Sequence, residues 1–191
     1  MFLARIASYV LSTLYHTSPQ TIGASFKVAK VSHCGKELTL EIWDTSGQER
    51  YRSLTPMYYR AARIVVGVFD RNHMDTLDAA RLLLSEAERN VSDVALILVE
   101  NMIDLEDAGE QEVKDIYLEK VLADLKIPGD RYFRVSAKTG EGIPELKAAL
   151  GEIGYDFLMY AQTGKEFAAV DNENAGRGSG GGGSKKDCVI C

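Results

Sequence analysis

Two short apolar runs constrain this chain most: Ile-Val-Val-Gly-Val-Phe at 64–69 and Val-Ala-Leu-Ile-Leu-Val at 94–99. Both are rich in β-branched residues, uninterrupted by charge and too short for buried helices, so they read as strands covered on both faces of a parallel sheet. Parallel neighbours need a crossover, and the stretch between them supplies one. Residues 75–90 place Leu77, Ala80, Leu83 and Leu84 at helical spacing. The alternation continues with a helix over 110–125, a strand over 132–135 and a helix over 143–160. Strand and helix in turn imply an open, mostly parallel α/β sheet with helices on both faces.

The part before residue 64 reads differently. Residues 25–33 alternate through Phe26, Val28 and Val31, and 37–43 through Leu38, Leu40 and Ile42, with Cys34-Gly35-Lys36 between them. That is an antiparallel hairpin. Residues 1–15 carry Phe2, Ile6, Tyr9, Val10 and Leu14 on one side of an expected buried helix. A signal peptide is the alternative, but Ser8, Ser12 and Thr13 interrupt the apolar run and no small-residue cleavage site follows. A polar loop follows at 17–21, and beyond Thr163 the chain turns to glycine and serine at 176–184, a flexible tether. The expected division is a folded domain over 1–160, a hypervariable tail over 161–187 and a terminal motif over 188–191.

Of 191 residues, 46% are hydrophobic and 26% charged, which suits one globular domain. The net charge of −6 argues against a nucleic-acid binder, which carries a basic face. Three cysteines without metal-ligand spacing give neither a disulfide framework nor a zinc site, so a reducing setting fits. No apolar run reaches the roughly 18–20 residues of a membrane helix.

Chemistry concentrates beyond the carboxyl ends of the strands, where ligands of open α/β sheets bind. After the hairpin comes Trp43-Asp44-Thr45-Ser46-Gly47-Gln48-Glu49-Arg50-Tyr51. There Asp44 can hold a magnesium ion, Gly47 lets backbone approach a phosphate, and Gln48 can orient a water. The plain alternative for Asp-x-x-Gly alone is a surface turn. Asn101-Met102-Ile103-Asp104 follows one buried strand and Ser136-Ala137-Lys138 another. A carboxylate at Asp104 can accept hydrogen bonds from N1–H and the exocyclic amine of guanine, which adenine does not offer.

Residues 43–51, continued by Ser53-Leu54-Thr55-Pro56-Met57-Tyr58-Tyr59-Arg60-Ala61-Ala62, closely resemble the second switch of Rab-type small GTPases in the Ras-like superfamily. Thr21-Ile22-Gly23-Ala24-Ser25-Phe26 resembles the first switch, particularly of members acting on early endocytic membranes. The two later motifs resemble the guanine-recognition loops. The likeness runs from about Thr21 to Tyr160 and then to the tail. It implies the Ras-like P-loop GTPase fold, an open sheet of six strands with one antiparallel hairpin and five flanking helices.

By that resemblance Thr21 and Asp44 would ligate Mg2+, the Gly47 N–H would contact the γ-phosphate of GTP, and Gln48 would position the attacking water. Asn101, Asp104, Ser136, Ala137 and Lys138 would bind the guanine nucleotide, GTP or GDP, with the Ala137 N–H facing the guanine carbonyl oxygen. Ile22, Phe26, Trp43 and Tyr58 would form the effector surface. Implied partners are Rab effectors, an exchange factor, an activating protein, and a prenyl transferase with its escort protein and dissociation inhibitor. Cys188-Val189-Ile190-Cys191 after Lys185-Lys186 reads as a lipid-attachment motif, with prenylation at Cys188 and, as in paired-cysteine tails, at Cys191. The implied location is the cytosolic face of endosomal membranes, with a soluble cytosolic pool.

Three departures stand out. Ser46 takes the place of the usual alanine, and Met102 that of a lysine whose stem covers the base. Methionine covers a flat ring but gives no ammonium hydrogen bonds, so weaker nucleotide affinity is expected. The chain also lacks Gly-x-x-x-x-Gly-Lys-[Ser/Thr]: its Gly-Lys pairs, Gly35-Lys36 and Gly164-Lys165, have neither the earlier glycine nor the following hydroxyl. Residues 1–6 resemble the family's first helix, so the first strand and phosphate loop are expected to be missing from the chain through a truncated gene model. Two unpaired strand edges should then flank the slot of that strand. The rival reading is a non-catalytic pseudo-GTPase, a prenylated interaction module with impaired nucleotide binding. A dinucleotide oxidoreductase is excluded because no Gly-x-Gly-x-x-Gly opens a helix.

Overall fold

The computed structural model describes the backbone of residues 24–45, 62–105, 109 and 111–163, and the side chains of these except 24–26, 44–45 and 161–163. The expected first helix, the loop at 17–21, Thr21, Ile22, Gly47, Gln48, Tyr58 and the tail with Cys188 and Cys191 lie outside the described residues.

Strand β1, Ala24–His33, pairs antiparallel with β2, Lys36–Thr45, in unbroken register from Ala24↔Thr45 to His33↔Lys36. Cys34 and Gly35 form the two-residue connection with φ of 47° and 71°. Positive φ at both positions is the demand of a type I′ turn, whose twist matches the strands. Alternation then sorts the faces: Ala29, Val31 and Leu38 are buried, whereas Val28, Lys30, Thr39, Glu41 and Trp43 are exposed.

The second sheet runs β3–β4–β5, all parallel, with β3 at Ile64–Asp70, β4 at Ala95–Asn101 and β5 at Tyr132–Arg134. Every residue of β4 is buried, as its apolar run requires of a central strand. Helix α1, Asp75–Asn90, connects β3 to β4, and α2, Gln111–Asp124, connects β4 to β5. Leu77, Ala80 and Leu84 of α1 meet Leu118 and Val121 of α2 over Val65, Phe69, Leu96 and Leu98, so both helices cover one face. Gly67 permits that approach, since a Cβ there would sit 2.9 Å from Leu84 Cδ1. Helix α3, Ile143–Thr163, covers the other face, its Ile143, Leu146 and Ile153 packing on Val68, Ala95, Ile97, Val99 and Val135.

Among the described residues no ladder joins the hairpin to the parallel sheet. The five described strands form two sheets, and no described strand lies between the hairpin and β3, the place of the slot expected from the sequence. Side-chain packing holds the two together instead: Ala29, Leu40 and Ile42 of the hairpin share the α3 core with Ile64 and Val66. Gly154 of α3 eases the hairpin's approach, because a Cβ there would lie 3.3 Å from Leu40 Cδ2.

Candidate functional site

The two motif loops leave the carboxyl ends of β4 and β5, neighbours in the sheet. Their roots are stitched by backbone: Val135 N donates to Glu100 O at 2.8 Å and Ile103 N to Val135 O at 3.3 Å. Above that, side chains connect them. Asn101, buried at the end of β4, accepts the Ala137 N–H on Oδ1 at 3.0 Å. Ser136, fully buried, donates from Oγ to Asp104 Oδ1 at 2.6 Å and accepts the Lys138 and Thr139 amides at 3.3 and 3.1 Å. Lys138 Nζ stands 3.6 Å from Asp104 Oδ2.

These contacts define the electrostatics. The Ser136 hydroxyl, then a backbone hydrogen bond and the Lys138 ammonium, hold the Asp104 carboxyl below the ordinary aspartate range against the upward pull of burial. Asp104 is thus an ionised acceptor with lone pairs to spare, since a carboxylate offers about four sites. Asn101 Nδ2 is buried without a hydrogen-bond partner among the described residues, a donor open to an acceptor on a ligand. A donor and an ionised acceptor fit a guanine edge, whose N7 accepts and whose N1–H and amine donate.

Two details add to the residue-by-residue expectation. The Ala137 N–H, assigned to the guanine carbonyl, is engaged by Asn101 in this structure. Ser136 acts as a buried support that orders Asp104 and the following turn. That turn needs Gly142 at φ +72°, where an added Cβ would fall 2.1 Å from Arg134 O. Met102 sits between the motif's polar residues with φ 68°, a left-handed conformation few side chains adopt.

Sequence reasoning missed a charged cluster under the loops. Glu100, buried in β4, accepts the Tyr132 hydroxyl on Oε2 and Arg134 Nε on Oε1 at 3.2 Å, and Arg71 Nε lies 3.4 Å from the same Oε1. Arg71 Nη1 also reaches Asp115 at 2.7 Å and Gln111 at 3.1 Å on α2. Burial, then the hydrogen bond to Glu100, push the Tyr132 phenol upward. Burial works to lower the Arg71 guanidinium, but the Asp115 and Glu100 carboxylates outweigh it and raise it. The available signal was a glutamate ending an otherwise apolar strand.

Of the residues expected in the switches, Trp43 projects half-exposed from β2, and Asp44 and Phe26 are placed by backbone alone, Phe26 opposite Trp43. No cluster of three or more His, Cys, Asp or Glu suited to a metal occurs among the described residues.

The model of the Ras family matches residues 4–153. Relatives include the GTP-binding protein YPT52 of Saccharomyces cerevisiae, 33% identical over 91% of this chain and 82% of its own length. The GTP-binding protein YPT53 of the same yeast is 34% identical over 77% of this chain and 68% of its length. Ras-related protein Rab-21 of Mus musculus is 32% identical over 83% of this chain, which spans 65% of that relative. The chain belongs to the Ras family of small GTPases, in its Rab branch.

Proposed function

We propose that this protein is a GTP/GDP-cycling switch of vesicle-mediated membrane traffic and intracellular protein transport, acting at the cytosolic face of endosomal membranes with a soluble cytosolic pool. The observation that carries the reading is the base site: an ionised Asp104 held by Ser136 beside a buried Asn101 donor that has no hydrogen-bond partner among the described residues. In it Asp104 accepts from the base, Asn101 donates to it, and Lys138 lies along its rim. Bound Mg2+ and nucleotide supply the phosphoryl chemistry; Thr21 and Asp44 would hold the ion, Gly47 would donate to the terminal phosphate, and Gln48 would align water. Family membership extends the reading to effectors on Ile22, Phe26, Trp43 and Tyr58, to an exchange factor, an activating protein, and a prenyl transferase with escort protein and dissociation inhibitor. Cys188 and Cys191 would carry the lipid. Among the described residues no helix is long and apolar enough to cross a membrane.

Met102 favours a second reading, a prenylated pseudo-GTPase that binds nucleotide poorly, because a thioether replaces the family's ammonium in the base loop. Titrating a fluorescent GDP analogue into the purified full chain, with and without Mg2+, and then following GTP turnover separates the two. Magnesium-dependent binding at micromolar or tighter affinity, with turnover lost in Gln48→Leu, supports the switch; no binding at that strength supports the module.

A further inference from the structure

Glu100 is the one charged side chain in the buried strand β4, and it is 2% exposed. Burying a carboxylate costs several kcal/mol before its partners offset the loss, and an apolar residue of that size would satisfy the core as well. Its three partners come from the two flanking strands: Arg71 just beyond β3, and Tyr132 and Arg134 on β5. Through Arg71 the cluster reaches Gln111 and Asp115 of α2. Its location is specific too. Glu100 and Arg134 are register partners, the last rung of the β4–β5 ladder; Asn101 follows Glu100 directly, and Val135 alone separates Arg134 from Ser136.

We propose that Glu100 is a positioning residue of the base site, fixing the offset between the Asn101–Asp104 loop and the Ser136–Lys138 loop by gathering Tyr132, Arg134 and Arg71. The inference rests on the guanine-site reading. The two side-chain hydrogen bonds that join the loops, Ala137 N to Asn101 and Ser136 Oγ to Asp104, have donor–acceptor distances of 3.0 and 2.6 Å. A slide of one strand end by 1 Å would break such bonds. An uncharged residue at position 100 would leave Arg134, on a side chain 60% exposed, free to turn to solvent.

Glu100→Gln keeps the shape and removes the charge, and Arg134→Met removes a partner from a largely exposed position. Two readouts on the full chain test them. The first is the ratio of affinities for GDP and IDP, whose base lacks the amine that Asp104 accepts. The ratio should fall about threefold or more, whereas a merely structural role would weaken both nucleotides alike. The second, without nucleotide, is amide hydrogen exchange: Ala137 should exchange about tenfold faster while Leu84, in α1, is unchanged. An unaltered ratio in variants that fold, or unaltered Ala137 exchange, overturns the inference. If Glu100→Gln does not fold, Arg134→Met carries both readouts. If the unmodified chain fails to prefer GDP over ADP, the guanine-site reading falls, and the exchange arm still decides on positioning.

Discussion

The β1–β2 hairpin and the paired ends of β4 and β5 each present functional candidates, but different forces shape them. The hairpin depends on near neighbours: a two-residue turn, residues alternating in and out, and an exposed Lys30–Glu37 ion pair of 2.7 Å. Its face offers Val28 and Trp43, each about half exposed. The strand ends depend on partners 32–36 residues apart: Ser136 on Asp104, Asn101 on Ala137, Arg134 on Glu100. Glu100, Asn101 and Ser136 are buried there, so the bonds they make are worth more and their loss costs more. A surface for contact can be local and forgiving, whereas a site that reads a base has to be assembled across the sheet.

If that contrast is right, substitutions at the strand ends should be severe and those in the hairpin mild. Asp104→Asn should have the largest effect, weakening GDP about 100-fold, or about 3 kcal/mol, with the melting temperature nearly unchanged. Its pH dependence follows in sign: because the Asp104 pKa is lowered, its contribution is complete above the ordinary aspartate value of about 3.9 and is lost only as pH falls through the lowered value. The ratio of GDP to IDP affinity, in which phosphate titration cancels, should therefore stay flat between about pH 8 and pH 5, and a decline of that ratio across the interval would mean that Asp104 is not so held.

Gly142→Ala meets both a positive φ and the Arg134 carbonyl, and should cost about 2–3 kcal/mol of stability in urea denaturation. An effect below about 0.5 kcal/mol would show that the turn is not constrained. Met102→Lys should tighten GDP about tenfold, by returning hydrogen bonds from an ammonium; no change in titration would remove Met102 from the base site. Smallest, Lys30→Ala should lower stability by less than about 0.5 kcal/mol, since both partners are well exposed. A loss above about 1.5 kcal/mol would erase the distinction between the regions.

The same contrast explains what could be read beforehand. Periodicity placed α1 at residues 75–90 and the hairpin turn at Cys34-Gly35-Lys36, of which Lys36 opens β2, because both are set by residues close in sequence. The base motifs were found by their order and by resemblance, and their adjacency follows from neighbouring strands. The Ala137–Asn101 bond could not be foreseen, as it depends on the offset of two strand ends. The Glu100 cluster was hidden for the same reason: Arg71, Tyr132 and Arg134 are ordinary in sequence and become partners only when three strands lie side by side. Apolar alternation likewise cannot distinguish one sheet from two, because Ile42 and Ile64 have the same pattern whether bonded through a strand or packed on α3.

The central claim is that the two loops form a guanine-selecting site, and the Asn101 side-chain amide tests it most directly. In nitrogen-15 NMR of the full chain, GDP should move the Asn101 Nδ2 and Ala137 N–H resonances, while ADP at the same concentration should leave both in place. Equal shifts with the two nucleotides, or none with GDP, would contradict the claim.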